Sequence, residues 1–544
     1  MMNIGILKTM QKLQTIPLIF GVTGHRDIKD PKLVKDSVLS LLSKYKNTYT
    51  NTPLVLLSSL ADGADTLVAE VAKELGFELH IIFPYEKEEY LKTIKEDKER
   101  FETLIKYAGN NIKTLDCSFI EKKIDEETIK KEYTHCYQNM GEYIADTSNI
   151  LIALWDGKEE RLDNGGTAAI VYYQKEHFDK NENMFDSKDG NIIHIIPTTR
   201  TRNPNNILNS SEVETVYLGR LGKKDFEKNL DRFDTMNAEI SSTSEIKGKT
   251  LLHRYKNFFG GQANNNQSKY KKLMIWMLRL IVGAIIFLEL MHVLYGVDDF
   301  KPWASHLIVG YLLLLFIAWI IYKVFMHTGK LQDDFIFSRG LSEAIRIQNA
   351  WNAIELDKSV SDYYLRNEPV SLTWIRMVLK SIHFLDNSHY EPASIWITGQ
   401  TCYYQREIKN REKQIKKYEK YEHWLFIAGF IGAIVVFIWY FLEIFHVVDH
   451  GHFPKNWHFI VLVSGIALLL VGYAKKVLFV QGYEEEKSSF EEILPSFGRA
   501  GELLVAGDAE QKKRVVFDLG KKALMENSQW VGLHDARRAK FEME

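Results

Sequence analysis

Cysteine is scarce in this chain, and the scarcity argues against two classes of protein. The 544 residues include three cysteines, Cys117, Cys136 and Cys402. None forms a CxxC pair, and no histidine stands at a metal-ligand spacing from them. We therefore expect no disulfide framework, no structural zinc site and no other bound metal. The cysteine content is typical of a protein in a reducing compartment.

Excess charge of one sign is also lacking. The formal net charge is −2, so the field of the whole chain does not favour nucleic acid as a partner. The first twenty residues do not have the pattern of a signal peptide, because "QKLQTIPLIFGV" runs directly into a predicted strand. Insertion into a membrane is therefore expected only from internal segments.

Long apolar runs are present, and they are concentrated in the second half. A bilayer core of about 30 Å is crossed by about 20 helical residues, and four segments approach or exceed this length: 273–295, 305–324, 424–448 and 459–473. Lysines flank only one side of each predicted pair, and the short loops within the pairs have no comparable cluster. By the positive-inside rule, we predict a multi-pass protein of the inner (cell) membrane with cytoplasmic soluble domains.

The two predicted hairpins are related in sequence. "FLELMHV" recurs as "FLEIFHV" 154 residues later, and Trp303 and Trp457 have the same offset. Apolar residues often match by chance between membrane helices, but a repeated glutamate and histidine are not explained in this way. We therefore interpret the hairpins as a duplication.

Each copy has an ionisable pair within its first helix: Glu289 with His292, and Glu443 with His446. Residues three apart share one helix face. An ionisable group in hydrocarbon costs roughly 2.5–3.5 kcal/mol and normally faces a partner or water. The four side chains are therefore candidates for a ring that lines an assembled pore. The alternative is that they anchor the helix ends at the outer interface.

Predicted helices flank the hairpins on the cytoplasmic side. "LQDDFIFSRGLSEAIRIQNAWNAIEL" has apolar residues at helical spacing, and the highly charged "CYYQREIKNREKQIKKYEKYEHW" runs into the third crossing. Together with the hairpins, these segments resemble the SLATT family, the two-transmembrane effector domains that accompany SMODS nucleotide cyclases and SLOG domains. The resemblance covers about residues 270–538. It implies a homo-oligomer that forms a membrane pore when a linked sensor is triggered.

The first 200 residues alternate predicted strands with helices. Five short apolar runs end in glycine, proline or polar residues: "IPLIFGVTG", "PLVLLSSLADG", "ELHIIFPY", "NILIALWDG" and "NIIHIIPTT". This pattern predicts an α/β fold with a Rossmann-like parallel sheet covered by helices on both faces. The apolar segments of the second half predict that an all-α domain of four transmembrane helices with cytoplasmic helices follows it.

The ends of these strands have residues suited to a phosphorylated ligand. Ligands of such sheets bind beyond the carboxyl ends of the strands. Glycines let a ligand approach the backbone closely, hydroxyls and helix N-termini bind anions, and an arginine can donate two parallel hydrogen bonds to a phosphate. The candidate ligand-binding residues are Gly21, Thr23, Gly24, His25, Arg26, Ser58, Asp62, Gly63, Asp156, Gly157, Gly165, Gly166 and Thr167.

The stretches "GVTGHRD", "SSLADGAD", "ADTSNILIALWDG" and "NGGTA" resemble the SLOG superfamily, the Rossmann-like fold shared by lonely-guy hydrolases, DNA-processing protein A and the sensing part of melastatin-type channels. The resemblance implies a pocket for a nucleotide or its sugar-phosphate part. Lonely-guy enzymes have a glutamate three residues after the threonine of a GGxGT turn. This chain has GGT followed by Ile170 at that place, which removes an acid/base group worth about 10²–10⁴ in rate. We therefore identify no catalytic residue and no cofactor, and we expect sensing rather than hydrolysis.

The predicted domains are 15–200, a SLOG-like nucleotide-binding domain; 201–269, a polar linker or lid; 270–358, the first SLATT-like hairpin plus helix; 359–423, a cytoplasmic helical insertion; and 424–544, the second hairpin plus C-terminal helices. The hypothesis is a nucleotide-sensing membrane effector of a bacterial anti-phage or conflict system, with a nucleotide signal, the lipid bilayer, a second copy of itself and a signal-producing enzyme encoded nearby as partners. Two alternatives stay open: a membrane-tethered nucleotide or nucleoside-phosphate hydrolase, and a nucleotide-regulated ion channel.

Overall fold

The structure is a computed structural model. It describes residues 10–11, 13–95, 98–117, 126–158, 165–176, 191–202, 212–295, 301–326, 330–365, 369–385, 392–445 and 457–538. The chain divides into two units. Residues 1–257 and 357–389 form the α/β unit, and residues 258–356 and 390–544 form the membrane-helix unit.

The α/β unit is built on a seven-stranded sheet. The strands of the unit are β1 (Met10–Gln11), β2 (Leu18–Gly24), β3 (Leu54–Ser58), β4 (Glu78–Phe83), β5 (Ile112–Thr114), β6 (Ile150–Trp155), β7 (Ile192–Pro197), β8 (Glu214–Tyr217) and β9 (Ile246–Lys247). The sheet order is β5-β4-β3-β2-β6-β7-β8, and β1 pairs with β9 separately. Six strands of the large sheet are parallel and β8 is antiparallel to β7.

The five apolar runs of the sequence become β2, β3, β4, β6 and β7, and the predicted parallel sheet is found as a mixed sheet in which parallel strands dominate. The prediction was incomplete, because the sheet also has the three-residue β5 and the antiparallel edge strand β8. Such an edge strand needs apolar residues on few positions, and "ETVY" has no continuous apolar run.

Helices cover both faces of the sheet. Those of the α/β unit are α1 (Pro31–Thr48), α2 (Ala64–Glu74), α3 (Lys87–Tyr90), α4 (Lys98–Ala108), α5 (Glu126–Thr147), α6 (Thr167–Glu176), α7 (Lys223–Ser242) and α11 (Thr373–Leu385). Successive residues of a strand point to opposite faces. Ile19 packs with Ile144 of α5 on one face, and Phe20 packs edge-on against Tyr45 of α1 on the other.

Residues 212–257 are folded into the α/β unit, although the sequence assigns them to a linker or lid. They contain β8, α7 and the first residues of the next helix. Phe226, Leu230 and Phe233 of α7 are buried. Asn237 is fully buried and bonds both the amide and the carbonyl of Ile16. These contacts place residues 212–257 among the ordered parts of the sheet domain.

Residues 357–389 also differ from the predicted domain boundaries, because they belong to the α/β unit and not with 390–423. Asn149, at the start of β6, joins them to the sheet. Its side-chain oxygen accepts from the amide of Ile19 and from the Ser381 hydroxyl, and its amide donates to the carbonyl of Met377. A sequence that lies between two membrane hairpins therefore completes the core of the α/β unit.

The membrane-helix unit contains α9 (Lys301–Ile321), α10 (Lys330–Asn352), α12 (Ala393–Ile444), α13 (Trp457–Gln481), α14 (Tyr483–Ala506), α15 (Ala509–Arg538) and most of α8 (Leu251–Tyr295). Four helical stretches are long and apolar enough to cross a membrane, with mean hydropathies of 1.9–2.5. They coincide with the four predicted crossings. Large apolar side chains such as Phe316, Phe437 and Val463 are exposed there. Surfaces of this kind are covered by lipid or by another protein chain.

Small residues bring the helices of each hairpin together. A side chain at Gly310 of α9 would collide with the ring of Phe287 of α8. In the second hairpin, side chains at Gly429 and Gly432 of α12 would collide with Leu468 and Ser464 of α13. Close approach at small residues is the usual basis of helix association in lipid. The two hairpins thus use small residues at different positions.

Two of the three cysteines are paired. Cys117 and Cys136, 19 positions apart, form a disulfide, and Cys402 is free and exposed. The sequence predicted no disulfide framework, and spacing alone did not indicate this single bond.

Candidate functional site

The predicted strand ends meet at the centre of the sheet. From β2 the order runs through β3 and β4 in one direction and through β6 and β7 in the other. Thr23 and Gly24 of β2 lie in register with Ala153 and Leu154 of β6. The crevice between two such strands, at their carboxyl ends, is the usual ligand site of an open α/β sheet. We call this place the β2–β6 crevice.

The β2–β6 crevice contains a paired histidine and aspartate. Nε2 of His25 lies 3.0 Å from Oδ1 of Asp156 and 3.2 Å from the Asp156 amide nitrogen. Burial lowers the pKa of His25 despite the neighbouring Asp156 carboxylate. The ring is therefore neutral at pH 7, and Nε2 either donates to the carboxylate or accepts from the amide.

The other oxygen of Asp156 is not hydrogen-bonded. Asp156 is 1% exposed, and Oδ1 accepts from the amide of Lys158. Oδ2 is buried and has no hydrogen-bond partner among the described residues. A buried acceptor without a donor costs about 1–3 kcal/mol. A ligand hydroxyl or amino group would supply the missing donor.

The glycines of the site are approached by the protein itself. A side chain at Gly24 would collide with the side chain of Ala64 in α2, and one at Gly21 with Ile144 in α5. Gly63 has a φ of +82° and lies against the carbonyl oxygen of Arg26. Gly165 has a φ of +64° and lies against the backbone of Gln138. At these four positions the close contact that the sequence assigned to a ligand is made by neighbouring protein atoms.

Several polar groups of the loop between β3 and α2 bond to other protein groups. The Ala64 amide, at the start of α2, donates to the carbonyl of His25. Oδ2 of Asp62 accepts from the amide of Lys95 at 2.8 Å. Ser58 uses its hydroxyl to bond the Leu60 amide and the Asp65 carbonyl. The Asp62 carboxylate and the Ala64 amide thus already have protein partners, and a phosphate site at the start of α2 stays a prediction.

Asp65, in the first turn of α2, is a buried carboxylate that the sequence analysis missed. Its Oδ2 accepts from the Ser59 hydroxyl at 2.5 Å. Burial raises the pKa of Asp65 to about 6, although Ser59 and the nearby Arg26 favour the charged form. An aspartate one residue inside a helix N-terminus is ordinary in sequence, so no pattern distinguished it.

Arg26 lies beside a cluster of tyrosines that the sequence analysis also missed. Its guanidinium is 5.6 Å from the ring centre of Tyr137. The Tyr137 hydroxyl is 2.8 Å from that of Tyr85, and the rings of Tyr85, Tyr90, Tyr133 and Tyr137 lie 5.0–6.4 Å apart. We call these four residues the tyrosine cluster. They come from the ends of β4 and α3 and from α5, and their wide separation in sequence left no signal.

The turn before α6 supplies a helix N-terminus but no acid or base at the expected place. Thr167, the first residue of α6, is 7% exposed. Ile170 is 2% exposed and fills the space that the missing side chain of Gly141 leaves in α5. A glutamate at position 170 would therefore be buried in apolar packing. Gly166 is exposed, Gly157 has a φ of +82°, and Asp163 lies outside the described residues.

The structure describes three of the four candidate pore residues. Glu289 and His292 are both exposed on α8, and Glu443 is half-buried on α12. His446 lies outside the described residues. Their alignment into a pore is therefore a prediction about an assembly.

Within the described part of the chain, histidine, cysteine, aspartate and glutamate side chains form no group that could hold a metal ion. No protein-family model and no curated protein sequence matches the chain. The chemistry of the site is therefore argued from its own geometry.

Proposed function

We propose that the protein is a nucleotide-sensing membrane effector, in which a SLOG-like α/β unit controls a duplicated SLATT-like set of membrane helices. The observation that carries the proposal is the unpaired, buried oxygen of Asp156 in the β2–β6 crevice. In Rossmann-like sheets an acidic residue commonly accepts hydrogen bonds from a ribose. Asp156 would take that role here.

The remaining parts of a nucleotide have suitable neighbours. The N-terminus of α6, at Thr167, would face phosphate oxygens, and Arg26 would add a charge-assisted hydrogen bond. The tyrosine cluster beside Arg26 offers aromatic surface for a base. The ligand class is therefore a phosphorylated nucleoside or a second messenger derived from one, made by a signal-producing enzyme.

Sensing is favoured over hydrolysis by the packing of α6. The position that would carry the acid/base group is the core residue Ile170. The pair of His25 and Asp156 favours the hydrolase as the second candidate, because it is the one buried imidazole–carboxylate contact among the described residues of the crevice. The rate at which the protein turns over nucleotide distinguishes a sensor from a hydrolase.

The effector part is argued from the four apolar helices. Lysines at one side of the crossings favour an inner-membrane protein with cytoplasmic soluble domains. Shifting a closed state from 99% to 1% takes about 5.5 kcal/mol of differential binding. Several charge-assisted bonds to one ligand, summed over the subunits of a homo-oligomer, are sufficient.

The experiment uses the full chain reconstituted in liposomes that contain a self-quenching dye, with nucleotides added outside. We expect leakage that depends on a nucleotide and an apparent affinity at least tenfold lower for Asp156→Asn, because one charged hydrogen bond is lost. Asp62→Asn is the matched control, since Asp62 is also buried at a strand end, but its carboxylate accepts a hydrogen bond from the backbone amide of Lys95.

The controls separate the alternatives. Leakage without any nucleotide identifies a constitutive channel. Nucleotide turnover that disappears in Asp156→Asn identifies a hydrolase. Equal responses of the Asp156 and Asp62 variants contradict the assignment of the β2–β6 crevice.

A further inference from the structure

A cavity lies within the membrane-helix unit. It has a volume of about 890 Å³ and is formed by α8, α10, α13, α14 and α15. This volume falls in the range of sites for small organic ligands. Nothing in the nucleotide proposal uses it.

The cavity spans the boundary between apolar and charged parts of the helices. Lys271 precedes the first apolar segment, and Met274 lies within it. Lys476 stands near the end of the fourth apolar segment, and Phe479 and Val480 follow it. In a membrane, this is the level at which lipid headgroups meet acyl chains.

The walls combine an apolar surface with cationic groups. Phe335, Ile493, Met525 and Trp530 supply apolar and aromatic surface. The cationic side chains are those of Lys271, Lys476 and Lys522. Such a lining suits an amphiphile better than a fully polar ligand.

Of the four acidic residues that line the cavity, one is ion-paired and one has its charged form disfavoured by burial. Glu486 is held at 2.8 Å by Arg411, so the ammonium of Lys271 at 3.8 Å is not its closest partner. Burial raises the pKa of Glu526, despite a hydrogen bond from the Ser489 hydroxyl. The other two, Glu485 and Glu492, are exposed.

Trp530 supplies a donor without an acceptor. Its Nε1 is buried and has no hydrogen-bond partner among the described residues. The ring is held firmly: the guanidinium of Arg339 lies 4.2 Å from its centre, and the ring of His534 stacks on it at 4.1 Å. A fixed, buried N–H in a cavity that is also lined by lysines calls for an acceptor oxygen with negative charge.

We propose that this cavity binds the phosphate headgroup of an anionic phospholipid that enters from the adjoining leaflet. The phosphate accepts from Nε1 of Trp530 and pairs with Lys271, and the acyl chains lie along Met274, Phe479 and Val480. Basic pockets between membrane helices on the cytoplasmic side are a known class of headgroup site. The site requires membrane insertion but not the nucleotide proposal, so either can fail alone.

The test is native mass spectrometry of the full chain in detergent micelles, titrated with phosphatidylglycerol or with phosphatidylcholine. We expect the wild-type protein to prefer phosphatidylglycerol. Trp530→Phe keeps an aromatic ring but removes the N–H donor, and Lys271→Met removes the ammonium group. Each variant is expected to weaken phosphatidylglycerol binding about tenfold.

Two variants serve as matched controls. Trp319→Phe changes an exposed tryptophan of α9, and Lys272→Met removes the exposed lysine next to Lys271. Neither residue lines the cavity, and both variants are expected to bind as the wild type does.

Three outcomes would overturn the proposal. The first is equal binding of the two lipids, and the second is equal affinity in the cavity variants and their controls. The third is displacement of the lipid by soluble glycerol phosphate at the same concentration, which would make the cavity a site for free phosphate esters.

Discussion

Two buried aspartates follow the strands on either side of β2, and their surroundings differ. Asp65, in the first turn of α2 after β3, accepts from the Ser59 hydroxyl, and Ser58 and Asp62 of the preceding loop also bond protein groups. Asp156, after β6, has one carboxylate oxygen that no described residue bonds. Both loops contain glycine and aspartate, and both were predicted to bind ligand. If a ligand binds at one of these two strand ends, the unpaired oxygen of Asp156 favours the loop after β6.

The largest expected effect tests whether the loop after β3 is closed by protein contacts. Gly63→Ala places a methyl group against the backbone of Arg26 at a φ of +82°. We expect the sheet to lose about 3 kcal/mol of stability. Gly76→Ala is the control, because its φ is +75° and nothing lies within 4 Å, and it should cost about 1 kcal/mol. Hydrogen exchange of β2 and β3 amides in the full chain measures both; equal losses would show that the contact is unimportant.

The next effect concerns the charge of Asp65. Burial raises the pKa of this carboxyl from its ordinary value of 3.8 to about 6 in the folded protein. A raised pKa means that the contribution to stability is complete below the ordinary value and is lost as the pH rises through about 6, by about 3 kcal/mol in total. The neutral Asp65→Asn variant should lack this part of the pH dependence. Hydrogen exchange between about pH 4 and about pH 7 compares the two proteins, and parallel profiles would contradict the raised pKa.

The smallest effect is expected on the other side of β2. Asp156→Asn leaves the number of unpaired buried atoms unchanged, so the ligand-free sheet should change in stability by less than about 1 kcal/mol. The thermal midpoint of the ligand-free full chain checks this. A large loss of stability would mean that Asp156 stabilises the fold rather than serving a ligand. The contrast drawn between Asp156 and Asp65 would then be wrong.

The sequence predicted the parts of the fold that depend on long local patterns. The five central strands are apolar runs, and α12 follows from "YYQREIKNRE" continuing into an apolar segment, which the structure joins in one helix of 52 residues. The three-residue β5 and the edge strand β8 are too short or too polar for such a pattern.

Features that depend on distant contacts were not predictable. The bond between Asn149 and Met377 joins residues 228 positions apart, and no periodicity indicates it. The same holds for the tyrosine cluster and for the cavity near Lys271. At the candidate site, His25, Arg26 and Asp156 were identified from strand ends, but their pairing, and the protein contacts of the glycines, required three-dimensional packing.

Helix α8 has a consequence for how the first crossing is oriented. It is continuous over 45 residues, about 68 Å along its axis. Leu252 and Tyr255 near its start are fully buried, and Tyr255 donates to the carbonyl of Gln14. Each residue of an α-helix advances the azimuth by about 100°. Farther along, Met277 packs with Ala318 of α9 in one apolar cluster, and Phe287 lies against Gly310 of α9. A single-residue insertion between Met277 and Phe287 would therefore turn Phe287 by about 100° away from Gly310, whereas a seven-residue insertion would nearly restore the contact.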